Sequence, residues 1–143
     1  MREQTLLAFD YGTRKIGVAI GNTLTGQARP LEILEPGTRV RRFAEIERLL
    51  QDWQPDRVIV GLPLTLDGQE QYASLRCRRF ANQLHGRFGV EVVLVDERGS
   101  SMEAQQLLGN NALDDAMAAA VILQRYLDAQ SVPADQPLPQ TTR

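Results

Sequence analysis

Short apolar blocks dominate the first third of the chain, and apolar residues recur every three to four positions over much of the rest. Thr5 to Asp10 is an apolar run ending in an acid, which predicts a buried strand. A turn at Tyr11, Gly12, Thr13 and Arg14 leads to a second strand from Ile16 to Gly21, with β-branched Ile16, Val18 and Ile20. A third strand, from about Ala28 to Leu34, is closed by Pro36 and Gly37. Thr38 can cap a helix to about Trp53, because Val40, Phe43, Ile46, Leu50 and Trp53 recur at helical spacing. Arg57 to Gly61 is too continuously apolar for a half-exposed strand and is predicted to be central and parallel. After the loop Leu62 to Gly68, a helix from Gln69 to about Phe88 carries Ala73, Cys77, Phe80, Ala81, Leu84 and Phe88 on one stripe. A fifth strand, Val90 to Val95, ends at Asp96. Ser100 or Ser101 then caps a short helix containing Glu103, Gly109 to Asn111 break it, and a last helix runs from about Leu113 to Ala129.

The resulting order, βββαβαβαα, is an antiparallel meander followed by two parallel additions: an α/β fold with a central five-stranded mixed sheet and flanking helices. In such a sheet the carboxyl ends of the parallel strands share one edge, where ligands bind. That edge would gather Asp10, the loop after Gly61, and Asp96 with Glu97. On the last helix, Ala116, Ala119, Ala120, Leu123 and Leu127 define the packed face. Asp115 projects beside that face and Asp114 points nearly opposite. We read residues 1–130 as one domain and 131–143, with Pro133, Pro137 and Pro139 among polar residues, as a disordered Pro-rich tail.

The 143 residues suit a single core, and 43% hydrophobic with 24% charged residues argues against a disordered or fibrous chain. No apolar run approaches the roughly 20 residues needed to span a bilayer, so no membrane role is expected. A lone cysteine, Cys77, cannot form an internal disulfide or a cysteine-based zinc site and points to a reducing, cytoplasmic setting. The net charge of −2 argues against wholesale coating by nucleic acid, but two divalent cations on the acid cluster would move it to about +2. Of the sixteen basic residues only Lys15 is not Arg, and Arg suits bidentate phosphate contacts.

Each candidate residue also has an ordinary structural reading. Asp10 to Thr13 could be only a hairpin turn, with Gly12 supplying a positive φ. Glu97 could be a solvated loop charge, and Asp115 a first-turn acid complementing the helix dipole. Together, three carboxylates from three elements at one sheet edge suit Mg²⁺ or Mn²⁺ and phosphodiester cleavage with two ions. Arg41 and Arg48 precede Glu45 and Asp52 by four residues, as in exposed ion pairs. The second helix differs: no acid lies between Glu70 and Glu91, yet Arg76, Arg79 and Arg87 share one side, either as a solvated face or as a phosphate track.

The run Leu7 to Gly21, then Val60, Gly61, Leu62 and Pro63 with Asp67 and Gly68, then Asp96, Glu97 and Arg98, and finally Asp115 in an Ala-rich helix resembles the YqgF family. The resemblance implies a ribonuclease H-like fold related to RuvC-type Holliday junction resolvases, and bacterial members are regarded as pre-16S ribosomal RNA nucleases. It places the metal-binding, catalytic acids on Asp10, Glu97 and Asp115, with two Mg²⁺ or Mn²⁺ ions expected. Substrate phosphates are expected at Gly12, Thr13, Arg14 and Arg98, and at Arg76 and Arg79. Many relatives have a basic insertion before the last acid, whereas Leu107 to Asp114 here holds no basic residue. The expected activity is endonucleolytic processing of the 5′ end of pre-16S rRNA by a monomer or weak homodimer. The alternatives are a resolvase cutting four-way DNA and a non-catalytic ribosome-assembly factor that binds RNA. An actin-like ATPase would need a second domain, which 143 residues do not supply.

Overall fold

The computed structural model describes residues 3–97 and 115–130. Its elements are β1 (Thr5–Tyr11), β2 (Ile16–Asn22), β3 (Gln27–Leu34), α1 (Arg39–Trp53), β4 (Arg57–Leu62), α2 (Tyr72–Phe88), β5 (Val92–Asp96) and α3 (Asp115–Gln130). One five-stranded sheet has the order β3-β2-β1-β4-β5. The meander β1–β2–β3 is antiparallel, and β4 and β5 run parallel to β1, as predicted. The short helix after Ser100 and the tail from Ser131 lie outside the described residues.

Strand alternation sorts the core into two layers. Leu7 and Phe9 of β1 face α1 and α2, where they join Phe43, Ile46, Phe80 and Leu84. Leu6 and Ala8 face α3 and pack against Ala119, Ala120, Ile122 and Leu123. β4 is buried along Val58 to Leu62, as its unbroken apolar run implies for a strand with helices on both sides.

The helices depart from the sequence reading in three ways. In α1 the buried line is Phe43, Ile46 and Leu49, while Val40 is 81% exposed. Val40 stands six residues before Ile46, about 120° away around the helix, and so falls off the sheet-facing stripe. Helix α2 starts at Tyr72 rather than Gln69, because Leu64 and Glu70 form an isolated bridge and the chain is still turning. Ser74 fixes that start: its Oγ accepts from the Gln71 N–H at 2.9 Å and donates to the Pro63 carbonyl. Helix α3 is buried well beyond one stripe, from Ala118 continuously to Leu123. Its alanines let it lie close to the sheet, and Gln124 locks it to the β2–β3 hairpin, accepting from Ala28 N–H at 2.9 Å and donating to Gly26 O at 2.8 Å.

Thr38 caps α1 as predicted, its Oγ1 accepting from Arg41 N–H at 3.1 Å. The helix ends at Gln54, which adopts a left-handed conformation with φ 45° and donates its N–H to Leu50 O. A side chain at that φ is strained, whereas glycine is not. Gln54→Gly should therefore raise stability by up to about 1 kcal/mol in urea unfolding.

Candidate active site

Asp10 lies on the α3 face of β1, two residues beyond Ala8, and is paired across the antiparallel ladder with Gly17. Gly17 has no side chain, and the backbone of α3 fills the space: a Cβ there would stand 1.9 Å from the Asp115 carbonyl oxygen and 2.9 Å from Ala116 N. The first residue of α3 is thus set on β2 directly opposite Asp10. Gly21, two positions further along the same face, receives the Leu123 and Leu127 side chains in the same way.

Glu97 follows β5, and its N–H donates to Leu62 O at 3.1 Å, extending the β4–β5 pairing one step beyond the strand. Its carboxylate lies over Gly61, where a Cβ would meet Oε1 at 2.1 Å and Ile122 Cδ1 at 2.7 Å. Among the described residues, Glu97 Oε1 is buried without a hydrogen-bond partner. Three glycines on one sheet face therefore admit the two elements that carry Glu97 and Asp115.

The electrostatics centre on Asp10. Burial, reinforced by the charge of Asp115, pushes its carboxyl up to about 6. Burial also pushes Glu97 up to about 8, with Asp10 and Asp96 adding to the rise and Arg125 opposing it. Arg125 reaches the same corner, donating to the Asp96 carbonyl at 2.9 Å. Asp10 is thus in electrostatic contact with both other acids. Among the described residues, no three His, Cys, Asp or Glu side chains already stand as a metal-holding cluster. Asp114 and Arg98 lie outside the described residues.

Gly12, Thr13, Arg14 and Lys15 form the β1–β2 turn and, with Asp115, line a cleft of about 330 Å³. Gly12 does not have the positive φ expected of it. It is small for another reason: its N–H donates to Lys15 O at 3.0 Å, and a Cβ would stand 2.7 Å from that oxygen. A larger cleft, about 440 Å³ near Thr5 and Trp53, sits at the opposite end of β1 and holds none of these acids.

The arginines of α2 do not form one track. Arg78 pairs with Glu70 at 2.6 Å, and Arg87 lies over the Phe43 ring at 4.1 Å. Arg76 and Arg79 instead share a cleft with Arg39 and Arg42 of α1. Those two α1 arginines escaped the sequence reading because their helix partners became visible only after folding. Gly17 and Gly61 escaped it too, although an isolated glycine within a strand signals close approach of another backbone. Cys77 is buried, and burial together with Glu97 and Asp10 pushes its thiol up to about 12, far from a reactive thiolate. His85 is exposed, with Nδ1 3.0 Å from Val90 O.

A family model described as RuvX, Holliday junction resolvase, matches residues 4–129. A protein of Bordetella parapertussis named "Putative pre-16S rRNA nuclease" is 74% identical over 133 residues, covering 93% of this chain and all of that protein. One of the same name from Pectobacterium carotovorum is 49% identical over 138 residues, covering 91% and 99%. Among solved structures, Thermus thermophilus RuvC in complex with a Holliday junction matches with a TM-score of 0.56 at 16% identity, covering 89% of this chain and 95% of that one. The fowlpox virus resolvase with Holliday junction DNA matches with a TM-score of 0.60 at 14% identity, covering 90% and 99%. These two show a shared ribonuclease H-like fold.

Gly17→Ala should unfold the chain more easily by about 3 kcal/mol, since rigid backbone must move to admit the methyl. Gly86→Ala, with open space around it on helix α2, should be neutral or slightly stabilising in the same denaturant titration. Glu97 yields a pH prediction for the metal-free chain. A carboxyl raised by folding binds its proton more tightly when native, so stability falls as pH rises from about 4.5 to about 8. Glu97→Gln should therefore melt about 5 °C above wild type at pH 8 and level with it at pH 4.

Proposed function

The chain belongs to the RuvX family, also called YqgF, and from that membership we propose a divalent-metal-dependent endonuclease that processes the 5′ end of pre-16S rRNA in the cytoplasm. More broadly it is a nuclease, a hydrolase of phosphodiester bonds, in keeping with its family and the names of its relatives. The observation that carries the metal reading is Glu97 Oε1, a buried atom with no hydrogen-bond partner among the described residues, in electrostatic contact with a half-buried Asp10 whose carboxyl Asp115 also raises. Buried anions without a counter-charge are costly, and a hard cation relieves that cost with the oxygen ligands present here.

Asp10, Glu97 and Asp115 would hold one or two Mg²⁺ or Mn²⁺ ions. Such ions lower the pKa of a bound water and stabilise the leaving oxygen of a phosphodiester. The protein contributes position: β1 and the β4–β5 pairing fix Asp10 and Glu97, and the Gly17 contact sets Asp115 beside them. Arg14 and Thr13, lining the cleft next to Asp115, supply donors for a substrate phosphate. Gly12 gives that turn its shape, its N–H being committed to Lys15 O. Arg98 follows Glu97 directly and belongs to the same phosphate-binding set, and Arg76 and Arg79 contact phosphates further along the strand. A single cut in RNA needs only a monomer or weak homodimer.

A second reading, cleavage of four-way DNA, is favoured by the junction-bound resolvases that share the fold. Symmetric junction cutting requires a two-fold dimer. Labelled precursor RNA and a four-way DNA junction, each with Mn²⁺, Mg²⁺ or chelator, separate the two. We expect metal-dependent cutting of the RNA, lost in Asp10→Asn by more than the ~10–100-fold that removal of an outer-shell partner costs. Cutting of the junction alone would transfer the protein to the resolvases. RNA binding without cutting would make it a non-catalytic assembly factor.

A further inference from the structure

Tyr11 follows Asp10 on β1 and projects from the opposite face of the sheet. Its ring stacks on Phe80, with centroids 4.2 Å apart, and the guanidinium carbons of Arg42 and Arg76 stand 5.4 and 5.2 Å from its centroid. Arg39 and Arg79 complete the cleft, of about 210 Å³, and Tyr72 forms part of its lining while remaining 76% exposed.

We infer that this cleft between α1 and α2 is a second nucleic-acid contact, binding a single-stranded segment of the substrate through phosphates on the four arginines and an unpaired base on Tyr72. The inference rests on the phosphodiester-cleaving reading of the acid site and deepens it by naming the form of substrate that site receives.

Charge distribution is the first support. Lys15, Arg41, Arg48, Arg57 and Arg78 each stand against a carboxylate. None of the four cleft arginines does so among the described residues, although the chain carries more acids than bases. Four like charges drawn from two helices into one cleft repel one another unless an anion joins them. The Tyr11 ring holds two of them in place, so the arrangement is pre-organised rather than splayed.

Size and shape select the ligand. The cleft is smaller than the roughly 300 Å³ at which small-molecule pockets begin, yet it is open and lined by planar donors that fit phosphate oxygens bidentately. Tyr11 offers no face to a base, since Phe80 and the guanidiniums occupy it. Tyr72 does offer one, and a base can stack there only if it is unpaired. Leu75, 60% exposed one turn along α2, extends the apolar platform.

Position connects the cleft to the chemistry. Adjacent Cα atoms lie about 3.8 Å apart, and side chains of neighbouring strand residues leave opposite faces. A strand bending over the sheet edge would pass from the acids to the arginines across one layer of about 10 Å. That is a span of only a few nucleotides.

The test is binding of a labelled single-stranded RNA and a blunt duplex of the same sequence, measured in chelator across a salt series. Arg39→Gln with Arg42→Gln, and separately Arg76→Gln with Arg79→Gln, should each weaken single-strand binding about 10-fold and flatten the log–log salt slope by about 1.4, the loss of two phosphate contacts. Tyr72→Ala should weaken single-strand binding about 10-fold without changing the slope or duplex binding. Arg41→Gln and Arg48→Gln, on the same α1 but ion-paired, should bind as wild type, and melting curves confirm that each variant folds. Unaltered single-strand binding in both arginine pairs would overturn the inference, and so would equal losses on duplex and single strand with no effect of Tyr72→Ala. Cleavage is assayed separately with Mn²⁺. Groove-dependent binding without cleavage would sustain the cleft and defeat the nuclease reading, and cleavage with groove-independent binding would do the reverse.

Discussion

The contact between the first residue of α3 and the bare backbone of Gly17 is the constraint on which the rest of this structure depends. Backbone meets backbone there, with no flexible side chain able to give way. The contact lies directly across the ladder from Asp10, so this close approach of two backbones is also what brings the third acid to the first. Gly21 and Gln124 carry the same docking along the helix, and the alanines of α3 keep it close enough for the glycines to matter. At the other side of Asp10, Gly61 performs the same service for Glu97.

This packing has an electrostatic consequence. Glycines that admit neighbouring elements also exclude water, and the acids they gather lose solvation while gaining like-charged neighbours. Both effects favour the neutral carboxyl, which is why Asp10 and Glu97 rise together. In the proposed function a cation would take the place of those protons and offset the cost of the bare carboxylates. Arg125 only partly offsets the charge at Glu97.

β1 divides labour between its faces. Even-numbered Leu6, Ala8 and Asp10 build the α3 layer and the acid site, while odd-numbered Leu7, Phe9 and Tyr11 build the α1–α2 layer and the floor of the arginine cleft. Anionic and cationic surfaces are thereby held at the end of one strand without neutralising each other. Were Tyr11 and Asp10 on the same face, the cleft arginines would stand beside the acids as their counter-charges.

Much of this protein was legible in its sequence. Strand and helix periodicity predicted every element among the described residues, and the unbroken apolar run of β4 marked it as central, because local hydrogen bonding and burial impose those patterns directly. A charged residue closing an apolar strand made Asp10 conspicuous for the same reason, and the family motifs pointed to Glu97 and Asp115 beside it. Tertiary structure alone decided what depends on distance between separate elements. The roles of Gly17 and Gly61 are defined by atoms 98 and 36 residues away in the chain. The grouping of Arg39 and Arg42 with Arg76 and Arg79 depends on how two helices lie side by side, and the diversion of Arg87 onto Phe43 depends on the same packing. Periodicity records which face of an element is buried, but the partner on that face is chosen by the whole chain folding at once.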